Sequence, residues 1–465
     1  MKRFVMMALL CTFVLGLAAT ASAADIKVSG DYAFEAIWTD NWGFKDNNQG
    51  LDGDFANSYQ SEEQDFNVYQ RLRTKFQFIA SENLKGVLYT EVGTSTWGEN
   101  ELSIGAHTGA VEVKQGYIDF NWPGTQVNVK VGYQGLALPM AVTHASSPIL
   151  SEEVASATVS GAFTENVSYL VGYGRALQSN ANQDQTDVYF AALPVAFDNM
   201  TLTPYFAYAN MGEEVNATNS TAGTGWTAYG ADNNTGGTLD NAWWAGLSFD
   251  ATFFEDFITK ADFMYGQTNA EKDGAEMSGW MAGASVAYTG WKQYVTPEVF
   301  FVYTTGEDGN VTKGNGGSER MPIIAPDWAV GSFFFGGDAL LKGSDGDLAA
   351  QMGFWTLGLS LKDISFMEGL SHTVNVMYIQ GTNDKDLIRG YQGDENYQNV
   401  TYGKTLTEED SIWEVDFNSE YKIYDELTGY VQLGWLNADY DKNTWGPNTD
   451  GGDAYKLSIG MNYSF

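Results

Sequence analysis

Three basic residues at alternate positions, Arg71, Arg73 and Lys75 in "RLRTK", are the most concentrated positive charge in the 465-residue chain. On an extended backbone that spacing puts all three on one face, because side chains alternate sides with a period of two. Lys130 occupies the polar set of its own stretch, "VNVKVG". Opposite charge recurs in the same fashion: Glu414, Asp416 and Glu420 alternate with Trp413, Val415, Phe417 and Tyr421. Glu152 and Glu153 stand side by side in "SEEVAS". Arrays of opposite fixed charge across a gap make a transverse field, which sorts solutes by dipole and charge. Tyr69 and Tyr117, on the same polar sets, add stacking surfaces.

Bond-making chemistry finds little support. The three histidines, His107, His144 and His372, show no grouping with Asp or Ser, and G-x-S-x-G, H-E-x-x-H and P-loop patterns are absent from the sequence. Asp52/Asp54 and Asp345/Asp347 lack the ligand spacing and distal Glu of an EF-hand loop. The expectation is therefore no enzyme, no catalytic residue, no cofactor and no dedicated metal site, leaving only weak surface binding of Ca²⁺ or Mg²⁺.

The elements that must position these charges are strands. Ile26, Val28, Tyr32, Phe34 and Trp38 alternate with Lys27, Ser29, Asp31 and Glu35; the same texture recurs at 66–78, 127–134 and 413–421. The chain closes on "LSIGMNYSF", where Leu457, Ile459, Met461, Tyr463 and Phe465 alternate with Ser458, Gly460, Asn462 and Ser464. Short turns fall near Glu82-Asn83, Pro123-Gly124, Glu165-Asn166, Asp198-Asn199, Glu255-Asp256, Gly290-Trp291, Asp363 and Asp425-Glu426, and long polar loops fall between them. Eight turns and nine loops join 18 strands with both ends on the turn side. Pro194, Pro204 and Pro297 fall inside proposed strands, where a missing N–H is awkward. In "LKGVLYTEVG" both faces carry apolar residues, so 16 strands is the alternative count.

Lys2 and Arg3, an apolar run from Phe4 to about Ala19, and Ala21-Ser22-Ala23 make residues 1–23 a secretory signal peptide. The lone Cys11 lies inside it, so the remainder, 24–465, has neither disulfides nor thiolate sites. Its removal takes the net charge from −35 to −37, an unlikely match for nucleic acid. No linker-like stretch divides residues 24–465, and no apolar run reaches the ~18–20 residues a membrane helix needs.

Alternation of this kind suits either a soluble sandwich or a barrel whose apolar face meets lipid. Full charges at mid-strand, aromatics crowded at the turn ends (Trp122, Phe197, Phe254, Trp291, Tyr424, Tyr463, Phe465) and long loops on one side favour the barrel. The expected fold is all-β: a transmembrane antiparallel up-and-down β-barrel of 18 strands. A secreted, soluble carbohydrate-binding β protein is the alternative class.

Residues 114–139, "KQGYIDFNWPGTQVNVKVGYQGLALP", and 322–340, "PIIAPDWAVGSFFFGGDAL", resemble the outer-membrane homotrimeric porins of sulfate-reducing bacteria, and the likeness extends over essentially the whole chain. The resemblance implies a trimer of water-filled diffusion channels in the outer membrane of a Gram-negative cell, with Phe465 as the signal read by the barrel insertion machinery. It also implies that the loop after the fifth strand, roughly Gly135 to Ala157, folds into the lumen, with Glu152 and Glu153 on the acidic side of a constriction facing Arg71, Arg73, Lys75 and Lys130. Glu414, Asp416 and Glu420 would face the lumen too. The loops 40–63, 382–410 and 437–453 hold 17 acidic against 5 basic residues, which suits a cation-preferring mouth and divalent bridges to lipopolysaccharide; a channel selective for sugars or organic anions is the variant reading. The segment from Val330 to Leu341 is expected to fold over the mouth or pack at a subunit contact.

Overall fold

The structure is a computed structural model that describes residues 25–41, 64–99, 102–106, 109–142, 147–178, 185–211, 239–270, 276–309, 318–324, 328, 352–386, 405–445 and 451–465. Residues 1–23, most of the acidic stretch 40–63, Asp345/Asp347 and Val330–Leu341 lie outside that set. The strands are β1 (Asp25–Asp40), β2 (Gln64–Ser81), β3 (Leu84–Thr96), β4 (Glu112–Asn121), β5 (Asn128–Ala137), β6 (Ser151–Ala162) and β7 (Ser168–Gln178). There follow β8 (Gln185–Ala192), β9 (Val195–Phe197), β10 (Met200–Asn210), β11 (Leu239–Phe254), β12 (Phe257–Ala270) and β13 (Ser278–Tyr288). The wall ends with β14 (Thr296–Thr304), β15 (Phe354–Ile364), β16 (Leu370–Gly381), β17 (Ser411–Tyr424), β18 (Leu427–Asp439) and β19 (Gly452–Ser464).

Each strand pairs antiparallel with its neighbours, and β1 pairs with both β2 and β19, which closes the sheet. Segments β8 and β9 lie end to end, and both pair with β10, so nineteen segments make the expected 18 spans. Pro194 sits in the break between them and Pro204 faces that break, its carbonyl accepting from Leu193 N–H at 2.9 Å. The ladder is thus interrupted where two residues would spoil it, beside the short turn that joins β9 to β10. Pro297 is the second residue of β14, just past the point where the β13–β14 pairing stops at Glu298.

Outward residues form two aromatic bands. On the loop side, Trp243, Tyr265, Trp280, Tyr303, Trp355, Tyr378 and Trp413 follow one another around β11 to β17. On the turn side, Phe254, Phe257, Tyr288 and Trp291 make the equivalent row, with Tyr463 and Phe465 stacked at the seam. Two levels of amphipathic rings are what two membrane interfaces call for. The loop-side band changes character between β4 and β8. There tyrosines replace tryptophans, and two ion pairs share the outer face: Lys114–Glu153 at 3.1 Å and Arg175–Asp187 at 2.9 Å.

At the seam, Gly30 N–H donates to the Phe465 carbonyl at 2.9 Å and Phe465 N–H to the Gly30 carbonyl at 3.0 Å. A Cβ at Gly30 would lie 2.1 Å from the Arg73 carbonyl oxygen and 2.8 Å from the Phe465 ring. Only glycine lets the last residue lie flat on β1. In the closing strand Ile459, Met461, Tyr463 and Phe465 are exposed outward while Ser458 is buried inside, its hydroxyl bonded to Glu35.

Candidate functional site: the barrel interior

The interior has two unlike walls. Along β1 to β5 the inward positions are charged. Arg73 lies between Asp31 on β1 and Glu91 on β3, and its Nε donates to Glu91 at 2.6 Å. Lys75 stands over the Tyr89 ring, Nζ 5.9 Å from the centroid, a cation–π geometry. Arg71 faces Ala33, and its Nε is buried without a hydrogen-bond partner among the described residues. Lys130 faces Asp119, which also takes Lys85 at 3.2 Å and Asn128 at 2.8 Å. The stretch with apolar residues on both faces resolves here: Lys85, Val87, Tyr89 and Glu91 point inward, with Val87 buried in the lumen wall. Tyr69 faces Glu35 and Tyr117 faces Gly132, where a Cβ would come within 2.6 Å of the Tyr117 backbone.

On β17, Glu414 and Asp416 are fully buried on the inward face, and Glu420 continues that face near the turn side. Each replaces bulk by charge on a surface that in lipid would cost about 2–4 kcal/mol for a midplane Lys or Arg and somewhat less for an acid.

From β8 to β16 the loop-side half of the inner wall is apolar. Phe190, Tyr205, Trp244, Met264, Met281, Phe300 and Phe354 are buried there in one cluster. What buries them is chain folded inward. Residues 138–142 and 147–150 leave the wall between β5 and β6, held at the exit by Leu138 N–H donating to the Leu150 carbonyl at 2.9 Å. The loop runs as a chord to β12, where the Asp262 carboxylate accepts from Ala141 N–H at 2.9 Å and Val142 N–H at 2.7 Å. Val142 packs over Gly283 on β13. A second inward segment, 318–324, lies against it: Ile324 N–H donates to the Pro148 carbonyl at 3.0 Å and Trp244 Nε1 to the Pro322 carbonyl at 2.8 Å. Within this segment Arg320 Nε donates to Glu307 at 2.9 Å, and Asn383 ties the strand ends together through the Gly353 and Leu406 carbonyls.

One expectation needs correcting. The loop from Gly135 to Ala157 is shorter than the sequence suggested, because Gly135–Ala137 and Ser151–Ala157 pair as wall. Glu152 and Glu153 therefore lie on β6 and not in the constriction loop. Alternation then separates them: Glu152 shares the inward face with Val154, Ser156 and Thr158, whereas Glu153 belongs to the outward face and pairs with Lys114 at a bulge in β4. The acidic group that does meet the loop is Asp262, on a distant strand. Neither it nor Trp244 stands out in sequence. The signal that marks their surroundings is a run apolar on both faces, as in "PYFAYA" and "EVFFVY".

Described strands closed into a ring, an interior charged along one wall with chain folded in against the other, and two outer aromatic bands define the class: a transmembrane β-barrel of the outer-membrane type. Neither a family model nor a curated protein matches the chain. Solved structures do. The outer membrane protein OprD from Pseudomonas aeruginosa is 13% identical, with a TM-score of 0.51 over 96% of this chain and 95% of that one. OccK8 (OprE) of the same organism is 12% identical, with a TM-score of 0.53 over 95% and 98%. OpdL, also from Pseudomonas aeruginosa, is 12% identical, with a TM-score of 0.51 over 95% and 99%. At these identities the likeness is one of fold.

Proposed function

We propose that the protein is an outer-membrane porin of a Gram-negative bacterium, passing small hydrophilic solutes and ions passively through a water-filled lumen, with a preference for cations. The observation that carries the reading is the one-sided interior: charged residues of β1 to β5 face a lumen that residues 138–142, 147–150 and 318–324 narrow from the other side. Arg71, Arg73, Lys75 and Lys130 are the basic lining, and Glu152, Glu414, Asp416 and Glu420 the acidic one. No catalytic role is assigned to any residue. The acidic outer loops favour cations at the mouth. The same reading takes residues 1–23 as a cleaved signal peptide, Phe465 as the assembly signal, lipopolysaccharide with bridging divalent cations as the outer neighbour, and a homotrimer as the assembly.

Planar-bilayer recording on the purified protein tests it. Stepwise conductance with a reversal potential of cation sign is expected; no steps, or anion sign, overturns the channel or its selectivity respectively. One observation favours a substrate-selective variant on the same barrel. Arg71 keeps a buried donor available beside Tyr69, an arrangement suited to an organic anion, and saturable block of the current by such a solute is its signature.

A further inference from the structure

The wall forks at its loop-side end. Strands β5 and β6 pair to their tips, Ala137 opposite Ser151, and β7 and β8 pair to theirs, Gln178 opposite Gln185. Strands β6 and β7 do not: their pairing runs from Ala162 opposite Ser168 only as far as Ala155 opposite Arg175. Beyond that point residues 151–154 and 176–178 part company, and the β7–β8 register shifts between Arg175 and Leu177, the kind of irregularity that bends a strand. A cavity of about 480 Å³ occupies the fork, and all its lining residues belong to the described set. The lining comes from both faces of the wall. Tyr133, Ala155 and Arg175 belong to the outward face, with Tyr133 40% exposed, whereas Leu150, Phe190 and Ile324 belong to the buried inner cluster. The cavity therefore cuts into the sheet from an exposed outer mouth to an apolar floor, which the inward segments close on the lumen side. Open strand edges are not tolerated against hydrocarbon. This fork instead lies at the level of the Lys114–Glu153 and Arg175–Asp187 pairs, where charge replaces the apolar belt.

We propose that the β6–β7 fork is a binding site for amphiphilic organic ammonium ions, with the apolar body seated on Leu150, Phe190 and Ile324 and the ammonium held at Glu152. Charge selects the cation. The lining holds two carboxylates, Glu152 and Glu153, against one guanidinium, Arg175, which already gives Nε and Nη2 to Asp187 at 2.9 and 3.3 Å. A carboxylate offers about four acceptor sites, so Glu152 can receive an ammonium N–H beside its contacts within the protein. The Tyr133 ring at the mouth adds a cation–π surface along the way in. An ammonium brought onto an apolar floor is costly unless it meets a partner there, so the carboxylate decides in favour of an amine that keeps its charge. The site rests on the geometry of the wall and not on the channel reading, and it takes its ligand from the outer face of the barrel.

The test uses the full barrel in lipid nanodiscs, free of competing detergent, and dansylcadaverine, a fluorescent aromatic ring on an alkylammonium chain. Above the signal of empty discs, the dansyl emission should rise saturably. On the unmodified protein, N-acetylation of the probe, which removes its charge, should weaken binding at least tenfold. Ala155→Trp, at an exposed position of the mouth, should weaken it at least tenfold by plugging the entrance, whereas Ala155→Ser should bind as the parent does. Glu152→Gln should weaken the charged probe at least tenfold and leave the acetylated one unchanged. Conductance of Ala155→Trp in planar bilayers should match that of the parent; a changed conductance would put the mouth in the conducting path and overturn the separate site. No saturable signal above empty discs, equal binding of the acetylated probe by the parent, or equal binding by Ala155→Trp also overturns the proposal. Absence of conductance in every variant, with binding intact, would sink the channel reading and leave this site standing.

Discussion

The wall from β1 to β5 and the wall from β8 to β16 are built from the same alternating strands, yet their inner faces do opposite work. In the first, charges pair across neighbouring strands, Arg73 with Glu91 and Lys85 with Asp119, so the desolvation penalty of these pairs is met by partners held in register. In the second, Trp244, Met264 and Phe300 are buried against chain folded in from the loops, and burial of apolar area supplies the stability. A strand fixes only which residues share a face. Whether that face lines water or a core depends on what the loops lay against it.

The largest expected effect comes from the apolar wall. Trp244→Ala removes a buried ring and its hydrogen bond to Pro322, and should cost about 3–5 kcal/mol, read as a lower urea midpoint for loss of heat-modifiable gel mobility. Conductance should rise as segment 318–324 loosens; an unchanged conductance would mean that this segment does not narrow the path. Gly30→Ala forces a methyl group into the Arg73 carbonyl and the Phe465 ring, and should lower the yield of folded barrel in outer-membrane fractions. Asp262→Asn keeps the size but gives up the charge that holds Ala141 and Val142, at roughly 1–3 kcal/mol, with noisier and larger single-channel currents.

The charged wall should respond in selectivity more than in stability. Arg73→Gln leaves Glu91 without its guanidinium and should move the reversal potential further toward the cation value, with Lys75→Gln doing so more weakly. A shift in the anion direction would separate the ladder from the conducting path. The smallest effect belongs to the rim. Burial raises the Asp410 carboxyl above its ordinary value, outweighing the hydrogen bonds it accepts from Trp445 and Thr407. Its contribution is therefore fully present below the ordinary value of 3.8 and lost as pH climbs through the raised one. Amides around Thr407 and Asp441 should be better protected near pH 4 than near pH 7, once exchange is corrected for intrinsic rate.

The spans and their faces were legible because lipid on one side and water on the other impose a strict period of two. Ile459, Met461, Tyr463 and Phe465 point outward and Ser458 inward as that period requires. Legibility failed where the inner face is dry. In β10, Tyr205 and Ala207 point in and Phe206 points out, so no alternation survives to separate the faces. It failed at Glu152 and Glu153 for a different reason. A strand end and a loop start have the same composition there, and only the β5–β6 pairing decides which they are. The Asp262 anchor could not be read at all, since its partners are backbone N–H groups more than a hundred residues away.

The outer surface carries a mechanical consequence. The ion pairs Lys114–Glu153 and Arg175–Asp187 mark where the apolar belt ends on the flank of β4 to β8. Around the circumference the hydrophobic height is therefore uneven. A bilayer meeting such a rim must thin on one side or let the barrel lean, each at fractions of a kcal/mol per ångström. Elastic energy stored in the surrounding lipid falls when two low flanks share one thinned patch.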